Sequence, residues 1–441
     1  MKHKASLSRN LAKIKSLTSM SMTIKSQEMQ AAHLMLEIID QNLSLDSLEQ
    51  GSLNFVSGLF SSNFQKPLEP KTSIGKVLAR LTHLSSDNSA WYSFLISSGK
   101  LTNLSALNLK LPSKEVDCDS KDLLHFHHLP KLQKLTLDFL ARSFPSEINF
   151  FENFTLPSSL EDLSLTLTGF TLSLINENDA VPCQFLNRLQ EAKGVKALNL
   201  TIAEKADNSA LTTKFACLLI KCFDSLETLE FKNIKESSYV RKNNTEAEPK
   251  PKPLNFEEFW AAFTSSKETL QRISVNAPEI VFPEDVNTLE TGFPRLQNLH
   301  LQESVSSATE LGRFCRKISS LRDLSLRGVK FQDEQKLKTF LDDMKEIPKG
   351  RDFALYLDVE GIEQELLIGC LKKYVEGVRI QGRLGIHFTG VQAEDKHAFG
   401  EVLKLVVEKG RFEPFRIVMK NSRQLFSVAK HCILKVEDGL I

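Results

Sequence analysis

The chain has 441 residues, of which 41% are hydrophobic and 25% are charged. This composition is typical of folded globular proteins and excludes a collagen-like, a wholly disordered or a multi-span membrane protein. The 56 Lys and Arg residues nearly balance the 55 Asp and Glu residues, which gives a net charge of +1. A general nucleic-acid-binding protein usually carries a large basic excess, so we expect no nucleic-acid partner.

Residues 1–27 contain six basic residues and no acidic residue, and they are rich in Ser and Thr. Leu7, Leu11, Ile14 and Leu17 recur at helical spacing. Three interpretations are open: a disordered basic tail, a mitochondrial transit peptide, or a helix on a membrane surface. Transit peptides favour Arg, whereas five of these six charges are Lys. We therefore favour the tail and a cytoplasmic protein, with mitochondrial targeting as the alternative.

Targeting and redox features elsewhere in the chain agree with an intracellular location. The seven cysteines are scattered and form no C-x-x-C pair, which predicts reduced and mostly buried thiols. No apolar run approaches the roughly 18 residues that span a bilayer, so we expect no stable membrane insertion.

One pattern, L-x-x-L-x-L, recurs eight times between residues 104 and 326. Its last two apolar positions alternate as they do in a strand with one buried face, and the first one lies at the preceding turn. The eight copies are Leu104-Leu107-Leu109, Leu132-Leu135-Leu137, Leu160-Leu163-Leu165, Val195-Leu198-Leu200, Leu226-Leu229-Phe231, Leu270-Ile273-Val275, Leu296-Leu299-Leu301 and Leu321-Leu324-Leu326.

The pattern continues in a weaker form beyond residue 345, where the first apolar position is lost. Leu355-x-Leu357, Ile386-x-Phe388 and Phe415-x-Ile417 predict three further strands. The eleven strands lie about 31 residues apart, which leaves room for a helix after each. Helical periodicity over 210–223, 306–318, 333–345 and 394–409 supports this, and Asp333 is a predicted N-cap.

These repeats resemble the leucine-rich repeats of the long, ribonuclease-inhibitor-like class. The resemblance implies an α/β solenoid, or horseshoe, of about eleven strand-helix units, with a parallel sheet on the concave face and helices on the convex face. It departs from the family in one respect, because the Asn or Cys that normally follows the last Leu is missing. Pro112, Leu140 and Ala203 are among the residues that replace it.

The predicted organisation has four parts. A basic Ser/Thr-rich tail covers 1–27 and a helical N-terminal cap covers 28–100. The regular repeats cover 101–345, with a flexible Pro- and charge-rich insertion at 236–254. Degenerate repeats and a C-terminal cap cover 346–441.

Catalytic and metal-binding motifs are not apparent, and we predict no catalytic residue, no metal and no cofactor. The chain has no G-x-G-x-x-G, P-loop or H-E-x-x-H motif. Residues 117–128 gather Asp117, Cys118, Asp119, Asp122, His125, His127 and His128, but their spacing matches no zinc pattern. The glycines from Gly377 to Gly390 bracket strand-like residues and indicate turns or bulges rather than a phosphate loop.

Strand alternation identifies the side chains on the concave face. They are polar, of mixed sign and without aromatic residues, which fits a protein partner better than a nucleic acid. Arg272 and Arg327 are the strongest candidate contacts, followed by His300. The complete set of candidate partner-binding residues is Lys110, Lys134, Asp138, Asp162, Glu230, Lys232, Arg272, His300, Asp323 and Arg327.

The sequence therefore predicts a non-catalytic scaffold or recognition module that binds one or more protein partners. The alternative is a substrate-receptor subunit of a cullin-type ubiquitin ligase, because residues 33–60 faintly resemble a degenerate F-box. That segment lacks the usual Leu-Pro opening.

Overall fold

The computed structural model describes part of the chain, and all structural statements below concern these residues. They are residues 10, 18–25, 29–42, 48–56, 74–86, 95, 99–111, 126–139, 154–168, 186–204, 209–235, 254–283, 292–305, 308–331, 333–346, 353–360, 364–377, 382–388, 404–405, 412–419, 424–428 and 437–438. The chain divides into two compact units, the N-terminal unit (Met1–Ala203) and the C-terminal unit (Glu204–Ile441).

The N-terminal unit is built on a parallel sheet in which each strand pairs with the next one along the chain. Helix α1 follows the first strand and the short helix α2 follows the second. The elements are β1 (Ser19–Lys25), α1 (Met29–Asn42), β2 (Gln50–Val56), α2 (Gly75–Arg80), β3 (His83–Ser86), β4 (Ala106–Leu111), β5 (Lys134–Phe139), β6 (Asp162–Thr168) and β7 (Ala197–Glu204).

The C-terminal unit repeats the same plan and ends differently. Its parallel strands are β8, β10, β11, β12, β13, β14 and β15. The short strand β9 pairs with the C-terminal end of β10. Two antiparallel strands, β16 and β17, follow β15. The strands are β8 (Thr228–Lys235), β9 (Leu254–Asn255), β10 (Arg272–Val281), β11 (Asn298–Val305), β12 (Asp323–Lys330), β13 (Phe353–Glu360), β14 (Gly382–Phe388), β15 (Phe412–Met419), β16 (Gln424–Val428) and β17 (Glu437–Asp438).

Helices alternate with the strands of the C-terminal unit. They are α3 (Ser209–Ile220), α4 (Phe256–Ala261), α5 (Ala308–Lys317), α6 (Glu334–Lys345) and α7 (Gln364–Gly377). The predicted N-cap at Asp333 is confirmed, because its side chain accepts a hydrogen bond of 2.8 Å from the Lys336 backbone N–H. Of the predicted helix at 394–409, only residues 404–405 are described, and they are helical.

All eleven predicted strands are present and parallel, so the α/β class is confirmed. The paired leucines lie opposite one another across the sheets, as Leu107, Leu135 and Leu163 do in the N-terminal unit. The two inward residues of each of the eight regular strands are at most 2% exposed. Burying one such side chain contributes about 1.5–3 kcal/mol, so the repeated pairs supply most of the apolar core.

The register of β14 corrects one prediction. Leu384 and Ile386 lie opposite Leu355 and Leu357 of β13, whereas the predicted pair was Ile386-x-Phe388. The strand is therefore shifted by two residues relative to the prediction. A shift of two leaves the same set of residues on each face, because side chains in a strand alternate with a period of two.

The predicted helical character of 28–100 is met only in part. Helix α1 is present, but the segment also contributes the strands β2 and β3, and strand β1 lies within the predicted tail 1–27. At β2 and β1, the position of the first Leu is occupied by the polar residues Gln50 and Ser19. These two strands therefore lack the L-x-x-L-x-L pattern. The alternation of Ser19-Met20-Ser21-Met22-Thr23-Ile24 is nonetheless typical of a strand.

Successive repeats are joined by hydroxyl groups at the turn that precedes each strand. The hydroxyl groups of Ser159, Thr269 and Ser320 donate to the carbonyl oxygens of Leu132, Leu226 and Leu296, at 2.7–2.8 Å. Each donor immediately precedes the first Leu of its repeat, and each acceptor is the first Leu of the preceding repeat. At the equivalent position of β7, Gly194 lies so close to the Leu160 carbonyl oxygen that an added Cβ would be 3.1 Å from it. These contacts join successive repeats before their strands, whereas the expected Asn or Cys would have followed the last Leu of each motif.

Aromatic side chains fill part of the C-terminal core around Trp260, which is 1% exposed. Its ring centroid lies 4.6 Å from that of Phe293 and 4.7 Å from that of Phe314. Phe256 stacks on Trp260 at 5.3 Å and on Phe282 at 4.2 Å.

Candidate functional site

The outward residues of eight strands form two surfaces, one on each unit, which we call the open faces. Their side chains are half-buried or exposed, apart from Ser325 at 9% exposure. The open face of the N-terminal unit comprises Ala106, Asn108, Lys110, Lys134, Thr136, Asp138, Asp162, Ser164, Thr166, Ala197, Asn199 and Thr201. That of the C-terminal unit comprises Thr228, Glu230, Lys232, Arg272, Ser274, Asn276, Asn298, His300, Gln302, Asp323, Ser325 and Arg327.

On the N-terminal open face, Lys and Asp residues lie on neighbouring strands. The Lys134 Nζ is 3.5 Å from Asp162 Oδ2, so these two charges form an ion pair. Lys110 and Asp138 occupy opposite positions of the paired strands β4 and β5. One carboxylate oxygen of Asp138 is buried and accepts no hydrogen bond from a described residue. The formal charge of this face is zero.

On the C-terminal open face, two acidic residues have a partner, whereas two arginines have none within the described part of the chain. The Lys232 Nζ lies 2.6 Å from Glu230 Oε1, and the His300 Nε2 lies 3.4 Å from Asp323 Oδ1. Arg272 and Arg327 are exposed, and neither forms an ion pair with a described residue. Three cations against two anions give this face a formal charge of +1 with His300 neutral.

The registers of β10, β11 and β12 arrange nine residues of this face in a square, which we call the nine-residue grid. His300 is at its centre, because it lies opposite Ser274 on one side and opposite Ser325 on the other. Arg272 and Arg327 are at two opposite corners, and Asn276 and Asp323 are at the other two. The remaining members are Asn298 and Gln302.

Several polar atoms of the grid are buried without a hydrogen-bond partner among the described residues. They are the Oδ1 of Asn276, and the Oδ1 of Asp323 and Nε2 of His300, which lie 3.4 Å from each other but form no hydrogen bond. Alternation identified these three residues as outward-facing, but no sequence pattern marks their polar atoms as unsatisfied. Buried polar atoms are normally hydrogen-bonded, so these three atoms are exceptions within the described part of the chain.

The metal candidate at 117–128 lies mostly outside the described residues. Only Phe126, His127 and His128 are described; they form a turn of 3-10 helix in which Phe126 is buried and both histidines are exposed. The Nδ1 of His127 is 3.1 Å from the Thr155 hydroxyl oxygen. Within the described part of the chain, no three His, Cys, Asp or Glu side chains are grouped as a metal site would require.

The described cysteines have no features of a reactive site. Cys217, Cys222, Cys315 and Cys370 are buried free thiols, as predicted. Burial raises the pKa of Cys217 and of Cys222 to about 12, and it raises the pKa of Cys315 and Cys370 as well. The neutral thiol that results is a poor nucleophile and a poor metal ligand. Cys118, Cys183 and Cys432 lie outside the described residues.

The structure describes the glycines of the segment 377–390 in part, but it describes almost none of the predicted insertion at 236–254. Gly382 and Gly385 were predicted to mark turns or bulges; they lie within strand β14, where the register with β15 shifts between Gly382 and Leu384, as at a bulge. Residues 236–253 of the predicted insertion lie outside the described residues. Among the helices that the structure describes, none is long and apolar enough to cross a membrane.

Comparison with known proteins does not assign the chain to a family. No protein-family model matches it, and no curated protein is significantly similar to it.

Proposed function

We propose that this chain is a non-catalytic binding protein of the leucine-rich-repeat type, which holds a protein partner on its open faces. The observation that carries the proposal is a parallel sheet with one face accessible to solvent. Parallel sheets in globular domains are normally covered on both faces, and their strands are then apolar throughout. Here every outward position in eight strands is a polar residue or Ala.

The chemistry of the open faces supports binding rather than catalysis. Their charged groups are spread over eight strands, and their polar groups are mainly amides and hydroxyls. The described thiols are buried away from solvent with raised pKa values. A solenoid also suits a binding role, because stacked repeats present one extended surface to a partner.

The F-box alternative has weaker support. Residues 33–60 include the helical residues 33–42, as the resemblance requires, and α1 exposes Leu34 and Met35 to 39% and 37%. However, Gln50–Val56 is strand β2, which pairs in parallel with β1 on one side and β3 on the other. That part of the segment therefore belongs to the sheet of the repeats.

Site-specific photo-crosslinking in the protein's own cells tests the proposal. A photoreactive amino acid replaces Gln302 on the open face in one variant and Gln335 on helix α6 in the other. Both glutamines are exposed, so the pair is matched in residue type and accessibility. We expect a covalent adduct with a partner protein from position 302 and none from position 335.

The outcomes separate the candidate functions. Adducts of equal yield from both positions, or none from either, would contradict binding at the open face of the C-terminal unit. Recovery of cullin-complex subunits by crosslinking at position 34, with no adduct at 302, would support the F-box alternative instead.

A further inference from the structure

We propose that the nine-residue grid binds an extended acidic segment of the partner protein, with two carboxylates on the diagonal from Arg272 through His300 to Arg327. This inference rests on the proposed function and specifies the chemistry of the partner. Its first support is charge complementarity. Both arginines are exposed and form no ion pair with a described residue, whereas the Lys and Glu on the adjacent strand β8 are paired with each other.

The geometry of the grid sets the spacing of the two carboxylates. Arg272 and Arg327 are two strands apart and four residues apart along the strand direction. Neighbouring strands are about 4.8 Å apart and a strand rises about 3.3 Å per residue, so the two Cα atoms are separated by about 16 Å. Because side chains of an extended peptide alternate in direction, only an even separation places both carboxylates on the side of the grid. A separation of about four residues covers about 13 Å, and the flexible arginine side chains cover the remaining few ångströms. Arginine side chains suit this role because their guanidinium groups bind carboxylates through two parallel hydrogen bonds.

The residues of the other diagonal do not compete with a peptide for the two arginines. Asp323 Oδ1 lies 3.4 Å from His300 Nε2, so the one acidic residue of the grid faces the central imidazole. Asn276, at the opposite corner, is uncharged. A compact anion such as inorganic phosphate does not reach from one arginine to the other, whereas an extended peptide does.

The grid has a defined limit on the side of β13. The register between β12 and β13 is regular up to Leu326 and Leu357 and then shifts, so no residue of β13 lies opposite Arg327. Asn276, Gln302 and Arg327 lie opposite one another across β10, β11 and β12, and this regular pairing ends at Arg327.

Fluorescence anisotropy with synthetic peptides tests the inference on the full-length chain. The probes are fluorescein-labelled Ser/Thr/Gly peptides that carry two glutamates about two, four or eight residues apart, so that both glutamates lie on one side of the extended chain. Single-stranded oligouridylate of similar length is the competing anionic polymer. We expect the peptide with a separation of about four to bind most tightly, and Arg272→Gln or Arg327→Gln to weaken that binding about tenfold.

Arg295→Gln is the matched control, since Arg295 is also exposed, forms no ion pair with a described residue, and lies on the turn before β11 outside the grid. The Arg295→Gln variant should bind the peptides as tightly as the parent chain does. Equal binding of all three peptides, an equal loss in the control, or tighter binding of oligouridylate would overturn the inference. A partner that crosslinks at position 302 but binds the two arginine variants normally would overturn it too, and would leave the proposed function intact.

Discussion

The two units of the chain share one strand pattern but differ in core and in open face. The N-terminal core consists mainly of aliphatic side chains, whereas the C-terminal core has an aromatic cluster centred on Trp260. On the N-terminal open face the Lys134 and Asp162 charges are paired, while Arg272 and Arg327 on the C-terminal open face have no ion-pair partner among the described residues. The strand pattern therefore determines the fold, and the outward residues are free to differ in recognition chemistry.

Replacing Trp260 by Ala should have the largest effect on stability. The side chain is 1% exposed and contacts Phe256, Phe293 and Phe314, so its removal leaves a large cavity. We expect a loss of about 3–5 kcal/mol in the free energy of unfolding. Hydrogen exchange measured by mass spectrometry should show lost protection in the C-terminal unit.

The comparison predicts that this loss stays local. Leu165→Ala, in the centre of β6, is the matched variant and should lower protection in the N-terminal unit instead. In stacked repeats, each repeat contacts mainly the neighbouring repeats. If Trp260→Ala lowered protection in the N-terminal unit as much as in the C-terminal unit, this view would be contradicted.

A second prediction compares two glycines. At Gly51 of β2, an added Cβ would lie 2.8 Å from the Arg80 backbone carbonyl oxygen, which cannot move without shifting helix α2. We expect Gly51→Ala to destabilise the N-terminal unit by about 1–3 kcal/mol. Thermal or denaturant unfolding of the purified variant provides the measurement.

Gly369 of helix α7 is the control for that measurement. No atom outside its own helix and chain neighbours lies within 4 Å of its added Cβ. Gly369→Ala should therefore stabilise the C-terminal unit by about 0.5–1 kcal/mol, because Ala has the higher helix propensity. Two losses of similar size would show that the close approach at Gly51 is not the cause.

The strands illustrate what the sequence could and could not predict. The leucine pattern located eleven strands and their buried faces, because hydrophobic periodicity is strong where every repeat buries the same positions. Strands β1 and β2 were missed because Ser19 and Gln50 occupy the first apolar position. The two-residue shift of β14 was missed because both possible registers place apolar residues on the same face.

The open-face residues could be predicted by alternation, but their pairing could not. Lys232 is paired with Glu230 on its own strand, not with a residue on the neighbouring strand. Such a choice depends on side-chain conformation and on distances of a few ångströms, which the spacing of residues in a sequence does not determine. The unsatisfied oxygens of Asn276 and Asp323 likewise become apparent only once the strands are aligned.

A third prediction concerns the hydroxyl groups between repeats, which occur in both units. Ser320 donates to the carbonyl oxygens of Phe293 and Leu296, and Ser159 donates to that of Leu132. Replacing either serine by Ala should cost about 0.5–1.5 kcal/mol, as expected for one lost hydrogen bond. Denaturant unfolding measures the cost, and Ser159→Thr, which keeps the hydroxyl, should retain more stability than Ser159→Ala.

The smallest effect is expected from the paired charges of the N-terminal open face. Asp162→Asn removes the ion pair with Lys134, whose side chain is 68% exposed. Exposed ion pairs contribute about 0.2–1 kcal/mol, and salt reduces that contribution further. Denaturant unfolding at low and at high salt should therefore give nearly the same free energy for the variant and the parent chain.

The same variant sharpens the comparison between the two faces. Asp162→Asn leaves Lys134 without its ion-pair partner, and so gives the N-terminal face, with Lys110, two cations that form no ion pair with a described residue. If unpaired cations alone attract acidic segments, the variant should gain affinity for the diglutamate peptides. We expect no gain, because Lys134 has no second cation placed diagonally across two strands, and a single ammonium group cannot reproduce the paired hydrogen bonds of two guanidinium groups. A gain comparable to the loss caused by Arg327→Gln would show that net charge, and not the arrangement of the grid, selects the partner.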